Sequence, residues 1–226
     1  MTDPRDEYIR RVVAGKGFID IGGLSNVIYE RVSVAAAAGA DKVTMMDVEG
    51  PECPWWKLLK QRLAERGVQN CEFISGDVLS MQLEPAEIVY SSGVLYHLPC
   101  PIDYISKLRR ITKEYCILTS TTVATRVETD SGKLYFPPSS VLFVPALSGQ
   151  ERQIVREWFS SAGRGDVTES EERFGGWKNL ENYYPNWFIP TVSAFKQMAQ
   201  CGGFEIVEGA PVEPNDYSYC LLLRPS

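Results

Sequence analysis

The sequence predicts an α/β protein in which seven short strands alternate with helices, giving a mostly parallel sheet with helices on both faces and an inserted aromatic-rich lid. Three observations predict it. The stretch from Lys16 to Asn26, KGFIDIGGLSN, reads as strand, tight turn and helix start. Short apolar runs then recur between amphipathic helical stretches, which is the pattern of successive βα units. Between Thr121 and Pro190 the alternation loosens into a segment punctuated by Gly and Pro and dense in aromatics.

In order along the chain, Pro4 to Val13 reads as a leading helix with Tyr8, Ile9, Val12 and Val13 on one side, suited to covering the sheet. Phe18, Ile19 and Ile21 make the first strand, interrupted by Asp20 and closed by Gly22-Gly23. Ser25 can cap a helix continuing through Val27, Arg31, Val34 and Ala38, which Gly39 stops. Lys42 to Asp47 is a second strand ending on an acid. Pro54 opens a helix with Trp55, Leu59 and Leu63 at four-residue spacing, so Trp55 and Trp56 read as packing residues. Cys71 to Ser75 is the third strand, followed by Gly76-Asp77-Val78, and Glu87 to Ser91 is the fourth, running into Ser92 to Pro99. Pro101 opens a helix with Ile102, Ile105, Leu108 and Ile111 on one face, and Glu114 to Ser120 is the fifth strand. Gln150 to Ser161 reads as a helix, Thr191 caps another with Val192, Phe195 and Met198 inward, and Phe204–Val207 and Tyr217–Leu223 are the last two strands. The resulting division is a core of 1–121 and 191–226 with an insertion at 122–190, long for a plain connection and therefore read as a lid.

Composition narrows the class. A chain of 226 residues with 44% hydrophobic content can bury one substantial core. The polar start at Thr2 to Glu7 is unlike a signal peptide, and no apolar run approaches the roughly 20 residues a membrane span needs, so a cytoplasmic protein is expected. Six cysteines without a CxxC pair, and a single histidine, argue for reduced structural thiols and against a zinc cluster, and nothing in the sequence indicates another metal. A net charge of −6 disfavours a broad nucleic-acid surface and gives weight to a small-molecule acceptor.

The acids of the first βαβ unit help to choose the ligand. A dinucleotide site needs G-x-G-x-x-G so that a pyrophosphate can approach bare backbone; that spacing is absent, and Asp20 would set a negative charge beside the pyrophosphate. Asp20 instead suits an ammonium group, and Asp47 can accept hydrogen bonds from both hydroxyls of a ribose. A nucleoside joined to an amino acid satisfies both.

At this point the chain resembles the class I S-adenosylmethionine-dependent methyltransferases, whose first signature is an acid, a glycine-rich turn and a second acid one βα unit later. The resemblance implies a Rossmann-like seven-stranded sheet whose last strand runs antiparallel between the fifth and sixth, with S-adenosyl-L-methionine as cofactor. It implies Asp20 as the first acid, Gly22 and Gly23 as the turn, Asp47 at the ribose, and Asp77 with Val78 at the adenine, whose amino group is a donor. Ser92 and a leading-helix residue, Tyr8, complete the implied cofactor contacts. Leu24 and Asn26 stand where glycines are usual; Leu resists the left-handed conformation, so the turn is expected to follow a different path.

The run SSGVLYHLPCPIDYI is similar to the corresponding loop of small-molecule methyltransferases, and especially to that of transferases that carboxymethylate a wobble uridine in tRNA, whose Tyr matches Tyr96. A second similarity runs from Asn186-Trp187-Phe188-Ile189-Pro190-Thr191 to Gly203-Phe204. This loop falls at the carboxyl edge of the sheet, where open α/β sheets bind ligands. His97 is read as the base or as the residue that orients the acceptor, against the alternative of a helix cap. Tyr96 is open between stacking on the cofactor, bonding the acceptor and packing. In the insertion, Trp177, Tyr183 and Trp187 are the candidate acceptor contacts, while most of its other aromatics suit a small core of its own.

The favoured function is methyl transfer to a small molecule, oxygen before nitrogen. An RNA-modifying methyl or carboxymethyl transferase is the second reading, opposed by the acidic charge and by the lack of the large amino-terminal part of the tRNA enzymes. A noncatalytic nucleoside-binding or regulatory protein is the third, suggested by the altered turn.

Overall fold

The computed structural model describes residues 3–168, 186–213 and 217–226. Its centre is a seven-stranded sheet in the order β10-β11-β5-β4-β1-β2-β3. The strands are β1 (Gly17–Ile21), β2 (Lys42–Asp47), β3 (Cys71–Ser75), β4 (Ala86–Ser92), β5 (Thr112–Thr121), β10 (Phe204–Pro211) and β11 (Ser218–Pro225). β1 to β5 are mutually parallel, and β11 runs antiparallel between β5 and β10, as the resemblance implies.

Strand residues alternate between two cores. Phe18, Met45, Ile88, Tyr90, Ile117 and Leu222 face one side; Ile19, Ile21, Met46, Val89, Leu118 and Leu221 face the other. Burial on both faces is why these strands read as near-continuous apolar runs rather than as half-polar ones. The first face is covered by α1 (Pro4–Val12), α2 (Val32–Ala37) and α3 (Pro54–Glu65), the second by α4 (Pro101–Ile111) and α6 (Val192–Cys201). Helix starts follow the sequence signals. Pro54 and Pro101 occupy first-turn positions that need no N–H, Asp3 accepts from the Arg5 amide, and Thr191 accepts from the Ala194 amide.

Two expectations are corrected. The helix from Ser25 through Ala38 is divided into a 3-10 turn at Ser25–Val27 and the short α2. At the end of the 3-10 turn Val27 takes φ +58, a conformation that costs an L-residue roughly 1–2 kcal/mol. The break is held by a fully buried Val27 side chain, by the Arg62 guanidinium on the Val27 carbonyl, and by Asp20, whose carboxylate takes the Arg31 amide at 2.6 Å. The sixth strand is also longer than predicted, reaching Pro211, with a bulge between Ile206 and Glu208.

The described part of the insertion has a core of its own. β6 (Arg126–Thr129) pairs with β7 (Gly132–Tyr135), β8 (Val141–Phe143) pairs with β9 (Phe188–Pro190), and α5 (Gly149–Ser160) opens on a Ser148/Glu151 capping box. Val127, Leu142, Ile154, Trp158, Phe159 and Ile189 pack together with Tyr217. Among the described residues no helix is long and apolar enough to cross a membrane.

Candidate active site

The carboxyl ends of β1, β2 and β4 open onto a cavity of about 560 Å³, within the range of small-ligand sites. The strand order reverses at β1, which has β4 on one side and β2 on the other, so the turns leaving β1 and β4 diverge and leave a crevice.

Gly22 forms one wall. Its φ of +85 is a left-handed conformation, its N–H donates to the Met46 carbonyl at 2.9 Å, and a Cβ there would lie 2.1 Å from Val94 Cγ2. Gly22→Ala is therefore expected to cost about 2 kcal/mol or more of stability and to weaken nucleoside binding at least tenfold, since the turn must move to admit the methyl. Thermal denaturation and calorimetric titration of the variant check both.

Asp47 closes the end of β2, 7% exposed. Its Oδ2 accepts the Leu24 N–H at 3.0 Å and its Oδ1 accepts the Glu49 N–H at 3.1 Å. Burial pushes its carboxyl above the usual range, with those amides opposing the rise. Leu24 takes right-handed angles (φ −74, ψ −30), and its side chain is wholly buried. After Gly22 the turn thus passes Leu24 without left-handed geometry, and the left-handed non-glycine residue is Val27.

Asp77 and Val78 line the cavity beyond Asp47, and Asp77 Oδ1 accepts the Leu79 N–H at 2.9 Å, which fixes that turn. Ser92, Gly93 and Val94 bring the wall round to the 3-10 turn Leu95–His97. Tyr96 and His97 both line the cavity, their ring centroids 4.4 Å apart. This turn is tied to the insertion, because the Trp187 N–H donates to the Tyr96 carbonyl at 2.7 Å.

Four candidates stand elsewhere. Tyr8 is corrected from a cofactor contact to a core residue: it is 1% exposed among Phe18, Tyr90 and Cys220, and the same helix turns Arg5 toward the cavity instead. Asp20 and Gly23 lie behind the wall. Asp20 is fully buried, and both its carboxylate oxygens would come within 2.7 Å of a Cβ at Gly23, so that glycine makes room for the acid. Trp187 stacks on Phe143 at 6.3 Å and contributes its backbone rather than its ring. Trp177 and Tyr183 lie outside the described residues.

Burial pushes Asp20 up to about 8, opposed by the Arg31 amide and reinforced by Glu30 and Asp47. A carboxyl raised on folding keeps its proton where the unfolded chain has lost it. Its contribution is neutral below the ordinary value of 3.8 and increasingly unfavourable as pH rises toward 8. Asp20→Asn is expected to flatten the fall of Tm across that window, which melting curves at several pH values would reveal.

Sequence reasoning missed Arg5, Tyr29, Arg164, Asn186 and Glu213, all of which line the cavity. Two carried a usable signal: Arg164 follows the turn glycine Gly163, and Asn186 immediately precedes Trp187 in the quoted NWFIPT stretch.

No protein-family model matches the chain. A tRNA U34 carboxymethyltransferase from Stutzerimonas stutzeri (strain A1501) is 27% identical over 187 residues, covering 79% of this chain; the match spans 56% of that relative's length. Magnesium protoporphyrin IX methyltransferase from Synechocystis PCC 6803, solved with bound S-adenosylhomocysteine, superposes with a TM-score of 0.58 at 16% identity, over 99% of this chain and 82% of its own. The mitomycin 7-O-methyltransferase MmcR gives 0.59 at 11% identity, over 99% and 53%. The fold is that of the class I methyltransferases. A third structure of this fold, 1,6-didemethyltoxoflavin-N1-methyltransferase from Burkholderia thailandensis, was solved with bound 1,6-didemethyltoxoflavin and S-adenosylhomocysteine, and gives 0.56 at 13% identity over 99% of this chain and 79% of its own.

Proposed function

We propose that this protein is an S-adenosylmethionine-dependent methyltransferase acting on a small-molecule acceptor, with oxygen as the favoured target. The observation that carries the reading is that one cavity gathers Gly22, Asp47, Asp77, Val78, Ser92, Tyr96 and His97 from four separate strand ends. The donor set fits the cofactor. Asp47 keeps a lone pair on each oxygen for a ribose hydroxyl, Asp77 offers an acceptor to an adenine amino group, and Gly22, packed against Val94, sets its backbone on the cavity wall toward the amino-acid portion. When bound, the cofactor supplies an electrophilic methyl on a sulfonium with a good thioether leaving group. The protein's part is then alignment and exclusion of water, with a base required for a hydroxyl acceptor. His97 takes or orients the acceptor proton, and Tyr96 positions the acceptor beside it. All six cysteines are free thiols, which fits the reducing cytoplasm as its compartment.

The test is calorimetric titration of cofactor-stripped protein with S-adenosylmethionine, S-adenosylhomocysteine and NADH, followed by transfer of labelled methyl to an acceptor panel. Saturable binding of the two sulfur nucleosides without NADH binding supports the reading, and binding of neither overturns it. Binding with no transfer to any acceptor would move the noncatalytic nucleoside-binding reading to first place. The tRNA-modifying relative gives an RNA acceptor, with a carboxylated cofactor, the second place. Steeply salt-dependent binding of tRNA would favour it.

A further inference from the structure

Among the described residues, the cavity-wall oxygens buried without a hydrogen bond include Glu213 Oε2, which lies 3.5 Å from the Arg164 guanidinium, and Asn186 Oδ1, which as a neutral amide oxygen takes part in no ion pair. Asn186 is 8% exposed and lines the cavity; its Nδ2 donates to the Val167 carbonyl at 2.8 Å, and its Oδ1 is buried without a hydrogen bond. The amide orientation follows from chemistry, because a carbonyl only accepts, so the amide nitrogen must face Val167 and the oxygen must be the unpaired atom. A buried acceptor left unpaired costs roughly 1–3 kcal/mol, which a ligand able to donate would recover.

The surrounding charges are already balanced. Arg164 Nη2 donates to Thr121 Oγ1 at 2.5 Å, and Nη1 donates to the Tyr217 carbonyl at 3.3 Å and lies 3.5 Å from Glu213 Oε2. Arg5, the other cation on the wall, is held by Asp3 at 2.6 Å. A carboxylate on the acceptor would meet Asn186 Oδ1 and Glu213 with repulsion and would compete with existing ion pairs. A donor meets acceptors that await it. Asn186 is also next to Trp187, whose N–H holds the Tyr96 carbonyl, so this acceptor atom belongs to the same rigid unit as Tyr96 and His97.

We propose that Asn186 is a specificity-determining residue of the acceptor subsite, and that it selects acceptors presenting a neutral hydrogen-bond donor such as a hydroxyl over ethers and carboxylates. The proposal rests on the methyltransferase reading and names the acceptor chemistry for it. Val167 and Ala162 on the same wall suit an aryl body for the probes.

The experiment uses the full chain saturated with S-adenosylhomocysteine, titrated by NMR with catechol, its dimethyl ether and benzoate. Catechol is expected to bind about tenfold or more tightly than the other two, because a site built around a hydrogen bond discriminates against ligands that cannot make it. In Asn186→Leu that preference is expected to fall below about threefold while S-adenosylhomocysteine affinity, the readout of an intact fold, is retained. Equal binding of the three probes to the unmodified protein overturns the proposal without any variant. So does undiminished selectivity in Asn186→Leu, or failure of every probe to bind the loaded protein. Failure of S-adenosylhomocysteine itself to bind is a different result: it removes the methyltransferase reading, and the acceptor assignment falls with it.

Discussion

Asp47→Ala is expected to weaken binding of S-adenosylhomocysteine by about 100-fold or more. Hydrogen bonds to a charged acceptor are each worth roughly 1.5–3 kcal/mol, and in the proposed complex this carboxylate makes two of them to the ribose. The substitution also removes the acceptor of the Leu24 amide, in a wholly buried residue, and that of the Glu49 amide. Stability should therefore fall as well, by the cost of an unpaired buried N–H, roughly 1–3 kcal/mol, and a lower Tm would report it. Asp47→Asn keeps one acceptor oxygen and is expected to fall between the two. Calorimetry on all three proteins separates the ribose contribution from the structural one, and an Asp47→Ala affinity within twofold of the parent would remove Asp47 from the site.

His97→Ala is expected to have the converse profile, with kcat on a hydroxyl acceptor falling roughly 10²- to 10⁴-fold, the usual contribution of a positioned base. Cofactor affinity is expected to stay nearly unchanged. The 3-10 turn that carries the residue is held by backbone bonds, from the His97 amide to the Val94 carbonyl at 2.9 Å and from the Trp187 amide to the Tyr96 carbonyl at 2.7 Å, which survive the truncation. Single-turnover rates beside binding isotherms make the distinction. A variant that loses S-adenosylhomocysteine binding along with turnover would show His97 to be a structural support of the cofactor wall.

The sheet was legible because its strands are short, apolar and closed by glycine, proline or an acid, and because burial on both faces leaves little for tertiary context to reverse. Asp47, Asp77 and the Tyr96-His97 loop were legible for a related reason, since a residue that ends a strand of an open α/β sheet has one place to be. Helix phase was harder. Tyr8 and Arg5 are three residues apart on α1, and choosing between them required knowing which side of that helix meets β5 and β11. The split after Ser25 was illegible because it depends on Asp20 reaching the Arg31 amide, eleven positions away, and on Arg62 from α3 reaching the Val27 carbonyl. Asn186, Arg164 and Glu213 come from three stretches that meet only once the insertion has packed on Tyr217, and nothing local marks them as neighbours.

The burial of Leu24 has a consequence for the thermodynamics of ligand capture. A turn of bare glycines is ordered by the molecule it receives, and the lost backbone freedom is subtracted from affinity at that moment. Here a hydrocarbon side chain sunk among Val27, Val32 and Leu59, with its amide fastened to Asp47, settles the loop when the chain folds. Capture should accordingly proceed with a small conformational entropy penalty, and with an association rate governed by diffusion into the cavity rather than by closure of the loop.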